Sequence, residues 1–209
     1  MIFRFKLLYF ILMIVSLQAK AQNTIHIFYE QRSYYKILGG ELHSIDIDLK
    51  LVFNDSLSLC YIVTNENGAK NFEKEDIIGE RLVHHGVLFD YKNNSLYEEV
   101  YRPELRKKYL YQTKPKKITW FYTTETKTIL GNNCQLANGL FENSKDTIEA
   151  WYCMELKKPF GPSFYDWGLP GVVLEAYDPR YNMHFYAKKI INSNQVLKFP
   201  KSAKIKKTK

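Results

Sequence analysis

Residues 44–63 read SIDIDLKLVFNDSLSLCYIV, and this run decides the fold class. Ile45, Ile47, Leu49, Leu51 and Phe53 alternate with Asp46, Asp48, Lys50 and Val52. A period of two puts successive side chains on opposite faces of a strand, so one face is expected to be apolar and the other wet. Asn54-Asp55-Ser56 supplies turn residues, after which Leu57, Leu59, Tyr61 and Val63 resume the alternation. Two alternating runs joined by so short a turn make an antiparallel hairpin.

Outward from this hairpin the pattern repeats. Val87–Tyr91 and Leu96–Tyr101 flank Lys92-Asn93-Asn94-Ser95, whose asparagines tolerate the left-handed conformations of tight turns. Further strands are expected at Lys108–Gln112, Ile118–Thr123, Cys134–Phe141, Ile148–Met154, Val172–Tyr177 and Met183–Ile191. Glu142–Thr147 and Asp178-Pro179-Arg180 read as turns, and residues 65–80 as a loop or a short surface helix. A parallel sheet would need crossover helices between its strands, and the chain shows no helical periodicity there. Sixteen Tyr and 13 Phe in 209 residues point the same way, because aromatic side chains suit a pleated, half-buried surface. The expected fold is mainly β: a single antiparallel, curved meander sheet, half-barrel-like, whose apolar face needs a cover.

The ends of the chain read differently from its body. Arg4 and Lys6 precede an apolar run from Leu7 to Leu17, and Ala19-Lys20-Ala21 then offers small residues to a signal peptidase. A run of this length falls short of the roughly 20 residues of a spanning helix, so no transmembrane anchor is expected after cleavage. No Cys follows the run to carry a lipid. The expected plan is a signal peptide over 1–21, one β-rich domain over 22–198 and a basic, disordered tail over 199–209, in an exported protein, periplasmic or secreted. The formal charge of +8 belongs to the ends. Of 30 basic residues, three lie in the leader and five in the last nine positions, which leaves 22 against 22 acidic ones. A neutral body with a basic tail excludes the broad positive surface of a nucleic-acid binder.

One connection is exceptional. Glu155–Gly171 holds Pro159, Pro162 and Pro170 with Gly161, Gly168 and Gly171, a spacing that no regular strand or helix survives. The same segment carries Phe160, Phe164, Tyr165 and Trp167. Rings of that size are costly to leave in water, at roughly 25 cal/mol per Å² of apolar surface, so the loop is expected to fold onto the sheet as its cover. Pro170-Gly171 suits the central positions of a type II turn. Trp151, Tyr152, Trp167 and Leu169 read as the clasp between loop and sheet, and Phe160, Phe164, Tyr165 and Trp167 as candidate lining of a ligand site.

Gly168-Leu169-Pro170-Gly171-Val172-Val173-Leu174 resembles the signature of the GLPGLI family of exported proteins of gram-negative bacteria. The likeness runs from Ile129-Leu130-Gly131 and Cys134-Gln135-Leu136-Ala137, through Ala150-Trp151-Tyr152 and Gly161-Pro162, to the signature itself. Val172-Val173 stands where Leu-Ile is usual, and Cys153 where a threonine is common. The resemblance implies an envelope protein without an established activity, some of whose relatives accompany outer-membrane uptake systems, and it invites comparison with envelope lipid-carrier half-barrels.

No catalytic group, metal or cofactor is expected. Cys60, Cys134 and Cys153 show no CxxC spacing, and His84-His85 would point to opposite faces of a strand. Asp166 with Glu155 or Glu175 is too ordinary a set of acids to indicate catalysis. Cys134 and Cys153 lie on opposite arms of the hairpin around 142–147, which makes them the candidate disulfide in an oxidising compartment. The expected role is noncatalytic binding of a hydrophobic ligand or of an outer-membrane uptake component. The alternatives are a hydrolase without a recognisable motif and a purely structural or interaction protein.

Overall fold

The computed structural model describes residues 24–36, 40, 42–63, 77–78, 86–102, 107–114, 117–142, 144–156, 158–163, 165, 167–199 and 204–207. Residues 1–21, expected to be a signal peptide, lie outside the described residues, as do His84, His85, Phe164, Asp166 and most positions between 64 and 85.

The strands are β1 (Thr24–Lys36), β2 (Leu42–Phe53), β3 (Leu57–Ile62), β4 (Ile77–Ile78), β5 (Val87–Asp90), β6 (Ser95–Arg102) and β7 (Lys107–Thr113). They continue as β8 (Ile118–Ile129), β9 (Asn132–Phe141), β10 (Thr147–Cys153), β11 (Val172–Asp178), β12 (Met183–Ser193), β13 (Val196–Leu197) and β14 (Ile205–Lys207). No helix occurs among the described residues. The turns are built as their residues require. Asn54 Oδ1 accepts from the amides of Ser56 and Leu57, each at 2.9 Å, and Asp90 Oδ1 caps the next hairpin by accepting from those of Lys92 and Asn93. Asn94 takes the left-handed conformation, with φ 44°.

Twelve of these strands form one sheet in the order β14-β7-β6-β5-β3-β2-β1-β12-β11-β10-β9-β8. Two meanders, β1 to β7 and β8 to β12, are joined by the antiparallel pairing of β1 with β12. The connectivity alone requires curvature. β7 and β8 stand at opposite ends of this series, ten strand spacings apart, which in a flat sheet would be about 48 Å. The chain from Thr113 to Ile118 can span at most about 18 Å. The sheet must therefore curl until those ends approach. It remains open, because β8 pairs only with β9 among the described residues. This is the mainly β, curved, half-barrel-like sheet that the alternation predicts, with the plain meander split in two.

The larger core fills the inside of the curl: Ile27, Tyr29, Leu51, Phe53, Ile148 and Phe185 are buried there with Phe160, Trp167 and Leu169 of the long loop. A second cluster, Val52, Leu59, Tyr61, Leu88, Tyr97 and Leu110, packs on the opposite face. Sequence neighbours such as Leu51 and Val52, or Leu88 and Phe89, divide between the two clusters, so this part of the sheet is buried on both faces. The expectation of one wet face fails there: Lys50 is only 3% exposed. The cover is the C-terminal segment. Leu197 is buried, its carbonyl accepts from Asn54 Nδ2 at 3.2 Å, and Phe199 meets Tyr97 edge-on at 4.9 Å between ring centroids. The chain then returns as β14, parallel to β7. The basic end expected to be disordered contains Phe199, packed on the second cluster, and the short, exposed edge strand β14 beside β7.

Candidate functional site

The loop between β10 and β11 returns to the sheet through its backbone: the Val172 amide donates to Leu156 O at 3.1 Å and the Val173 amide to Phe160 O at 2.8 Å. Its rings fill the curl. Phe160 packs against Phe53 and Tyr91 with centroids 5.3 and 5.2 Å away. Trp167 is 1% exposed and stacks at 6.2 Å on Trp120. The indole N–H of Trp167 donates to Pro162 O at 2.9 Å, and that of Trp120 donates to Trp167 O. Burying an indole of roughly 200 Å² stabilises the closed loop by about 5 kcal/mol. Trp151 lies half-buried under the Lys127 ammonium, 4.2 Å from its ring, and the Tyr152 hydroxyl donates to Gln135 Oε1 at 2.8 Å.

The glycines and Leu169 explain the signature. Leu169 is buried while Pro170 is exposed. Gly168 has φ 55°, so the left-handed residue is Gly168 and not Gly171, and the type II turn expected at Pro170-Gly171 is absent. Gly171 is needed for another reason: a Cβ there would sit 2.0 Å from Cys153 O. A Cβ on Gly161 would fall 2.5 Å from the Trp167 ring nitrogen. Both glycines allow close approach, one to backbone and one to an indole.

Beside the loop lies a cluster of charge. Asp178, fully buried, accepts from Tyr165 Oη at 2.5 Å, from Arg180 Nε at 2.9 Å and from Arg180 Nη2 at 2.6 Å. Burial alone would raise the Asp178 pKa, but the hydrogen bonds from Arg180 and Tyr165 hold it below the usual carboxylate value. Burial and the adjacent carboxylate push the Tyr165 phenol up. The Arg180 guanidinium also lies over the Phe141 ring, 3.4 Å from its centroid. This network fixes the Tyr165 ring at the edge of the core.

Tyr165 also borders a cavity of about 540 Å³ inside the curl. One wall is Gln31 of β1 and Met183 of β12; the facing wall is Leu96 and Glu98 of β6 with Thr113 and Lys114 at the end of β7. Ser163 and Tyr165 of the loop and Arg180 and Tyr181 of the β11–β12 turn complete it. Strands far apart in the sheet meet here only because the sheet curls. Of the rings expected to line a ligand site, Tyr165 borders this cavity, while Phe160 and Trp167 belong to the core. Phe160 and Tyr165 also border a void of about 20 Å³, room for one water. Gln31, Glu98, Lys114, Arg180 and Met183 carried no site signal in the sequence, since they converge from four separate segments.

Cys134 and Cys153 stand directly opposite one another in the β9–β10 ladder, both buried, and all three cysteines are free thiols in this structure. Burial pushes the Cys134 and Cys60 thiols up to about 12, so neither is an activated nucleophile.

No family model matches the chain, and no curated protein matches it. Among solved structures it is similar to PNGF-II in two crystal forms, with TM-scores of 0.63 and 0.61 and identities of 21% and 20%, covering 89% of this chain. The match spans 32% and 31% of the PNGF-II chain, about a third of its length. At that identity the likeness concerns the fold alone. A candidate outer membrane lipoprotein-sorting protein domain from Vibrio parahaemolyticus aligns over 84% of this chain and 87% of its own, with 8% identity and a TM-score of 0.34, too low to bear on fold or function.

Proposed function

We propose that this is an exported envelope protein of the GLPGLI type, folded as one domain after its leader, that binds a mostly apolar small molecule without catalysis. The observation that carries the reading is the cavity of about 540 Å³ within the curled sheet, in the range of about 300–1,000 Å³ typical of small-molecule sites. Leu96, Met183, Tyr165 and Tyr181 supply its apolar surface, and a few polar groups sit among them. The leader-like N-terminus and the signature residues support the envelope assignment. Burial without an activated partner speaks against Cys134 as a nucleophile.

Native mass spectrometry of the protein purified gently from its own envelope fraction tests the proposal. A reproducible lipid-sized adduct, weakened in Met183→Trp, which pushes a bulkier ring into the cavity, is the expected result. A bare monomer with the cavity intact overturns ligand carriage and favours docking to an outer-membrane uptake component.

A further inference from the structure

The charges around the cavity narrow the class of ligand, given that the cavity is an apolar-ligand site. Arg180 and Asp178 neutralise each other within the wall, where the carboxylate accepts from Nε and Nη2 of the guanidinium. Glu98 and Lys114 remain. Both border the cavity, and neither has an ion-pair partner among the described residues. Their separation follows from the ladder: Glu98 pairs with Tyr111 and Leu96 with Thr113, which puts Lys114 three residue levels from Glu98 on the neighbouring strand. With a rise of about 3.4 Å per residue and a strand spacing of about 4.8 Å, the two backbones stand about 11 Å apart. Glu98 is half-buried and Lys114 is exposed just past the end of β7, so Glu98 sits deeper in the cavity wall and Lys114 at its rim.

A cavity with one carboxylate and one ammonium has no preference for net charge. An anionic head group attracted to Lys114 is repelled by Glu98 over similar distances, and a cation meets the reverse. An uncharged head leaves both groups to lose water without a partner. A head group carrying both charges satisfies both groups at once, with the residual backbone distance taken up by the two side chains and a hydrogen bond of about 3 Å at each end. We propose that the site takes a single-chain amphiphile with a zwitterionic head, its phosphate held by Lys114 and its ammonium by Glu98, and its chain running along Leu96, Tyr165 and Met183. Arg180 and Gln31 border the same space as further donors.

Isothermal titration of the folded protein with three myristoyl lipids below their micellar concentrations tests this: lysophosphatidylethanolamine, lysophosphatidylglycerol and monomyristoylglycerol. The zwitterionic lipid is expected to bind about tenfold more tightly than either of the others. Glu98→Gln, near-isosteric, should erase the preference over lysophosphatidylglycerol, and Lys114→Met should weaken both phosphate lipids while leaving the glyceride unchanged. Binding of all three within twofold, or a preference that survives Glu98→Gln, overturns the head-group assignment while the apolar-ligand reading stands. Failure of all three to bind overturns both.

Discussion

Adding a single methyl group at Gly171 should cost more than straining a left-handed glycine elsewhere. A Cβ at Gly171 would lie 2.0 Å from Cys153 O, 2.5 Å from its carbonyl carbon and 2.9 Å from the Met154 amide nitrogen. All three atoms are backbone, so no side chain can swing aside, and the loop must part from β10 by about 1 Å to reach the 3.0 Å below which Cβ contacts essentially do not occur. Overpacking of this kind costs about 1–3 kcal/mol. The displaced segment also carries the Val172–Leu156 and Val173–Phe160 hydrogen bonds, each worth about 1 kcal/mol. Gly171→Ala should therefore lose about 3–4 kcal/mol, and Gly171→Val more. For a domain of this size that lowers Tm by about 10 °C. Gly131 is the control: its φ is 80°, yet nothing lies within 4 Å of a Cβ there, so Gly131→Ala bears only backbone strain of about 1–2 kcal/mol, or about 5 °C. Thermal unfolding of both variants followed by circular dichroism decides. If Gly171→Ala melts with the parent, or above Gly131→Ala, the close-approach account of the signature glycine is wrong.

Three further outcomes follow from the buried polar groups. Arg180→Met leaves the Asp178 carboxylate buried without its cation, a loss of about 3–5 kcal/mol at pH 7. With its pKa then raised above the unfolded value, that loss should shrink as pH falls toward 5, and a pH-independent loss in urea unfolding would contradict the charge argument. In the parent the Asp178 pKa is depressed, so its contribution is whole above the unfolded value near 4 and disappears as pH falls through the folded one. Burial, and after it the charge of Lys50, lowers the His26 pKa to about 4, and its ring meets Thr24 Oγ1 at 3.0 Å. Stability should thus decline from pH 6.5 toward 4 by at most about 3 kcal/mol, and His26→Gln should flatten that decline; an equal decline in both proteins refutes it. Cys134 and Cys153, directly opposite in the ladder, have Cα atoms about 4.5–5.5 Å apart, inside the range of a disulfide. Protein recovered from an oxidising compartment should then show one reactive thiol, Cys60, after unfolding without reductant, whereas three would reject the bridge.

Local periodicity made the hairpins legible, and long-range pairing was not. β2, β3, β5 and β6 announce themselves by alternation and by Asn-rich turns, because neighbouring strands joined by short turns need no information from elsewhere in the chain. β1, the strand that joins both meanders, gives a weaker signal: in TIHIFYEQ, residues 24–31, Ile27 and Phe28 are adjacent, and a register shift falls between Phe28 and Tyr29. Nor does Lys50 look buried until β1 pairs with β2 and brings the Phe28 ring within 4.9 Å of its ammonium. The long loop lies between these cases. Its rings had to go somewhere apolar, and that reasoning holds for any sheet with an exposed face; which rings become core and which border the cavity depends on the curl. The curl itself was encoded in the short step from Thr113 to Ile118, but only for a reader who already knows that β7 and β8 stand at opposite ends of the series. Tyr165 borders the cavity, whereas Phe160 and Trp167 do not, because Asp178 and Arg180 hold its hydroxyl at the margin of the core.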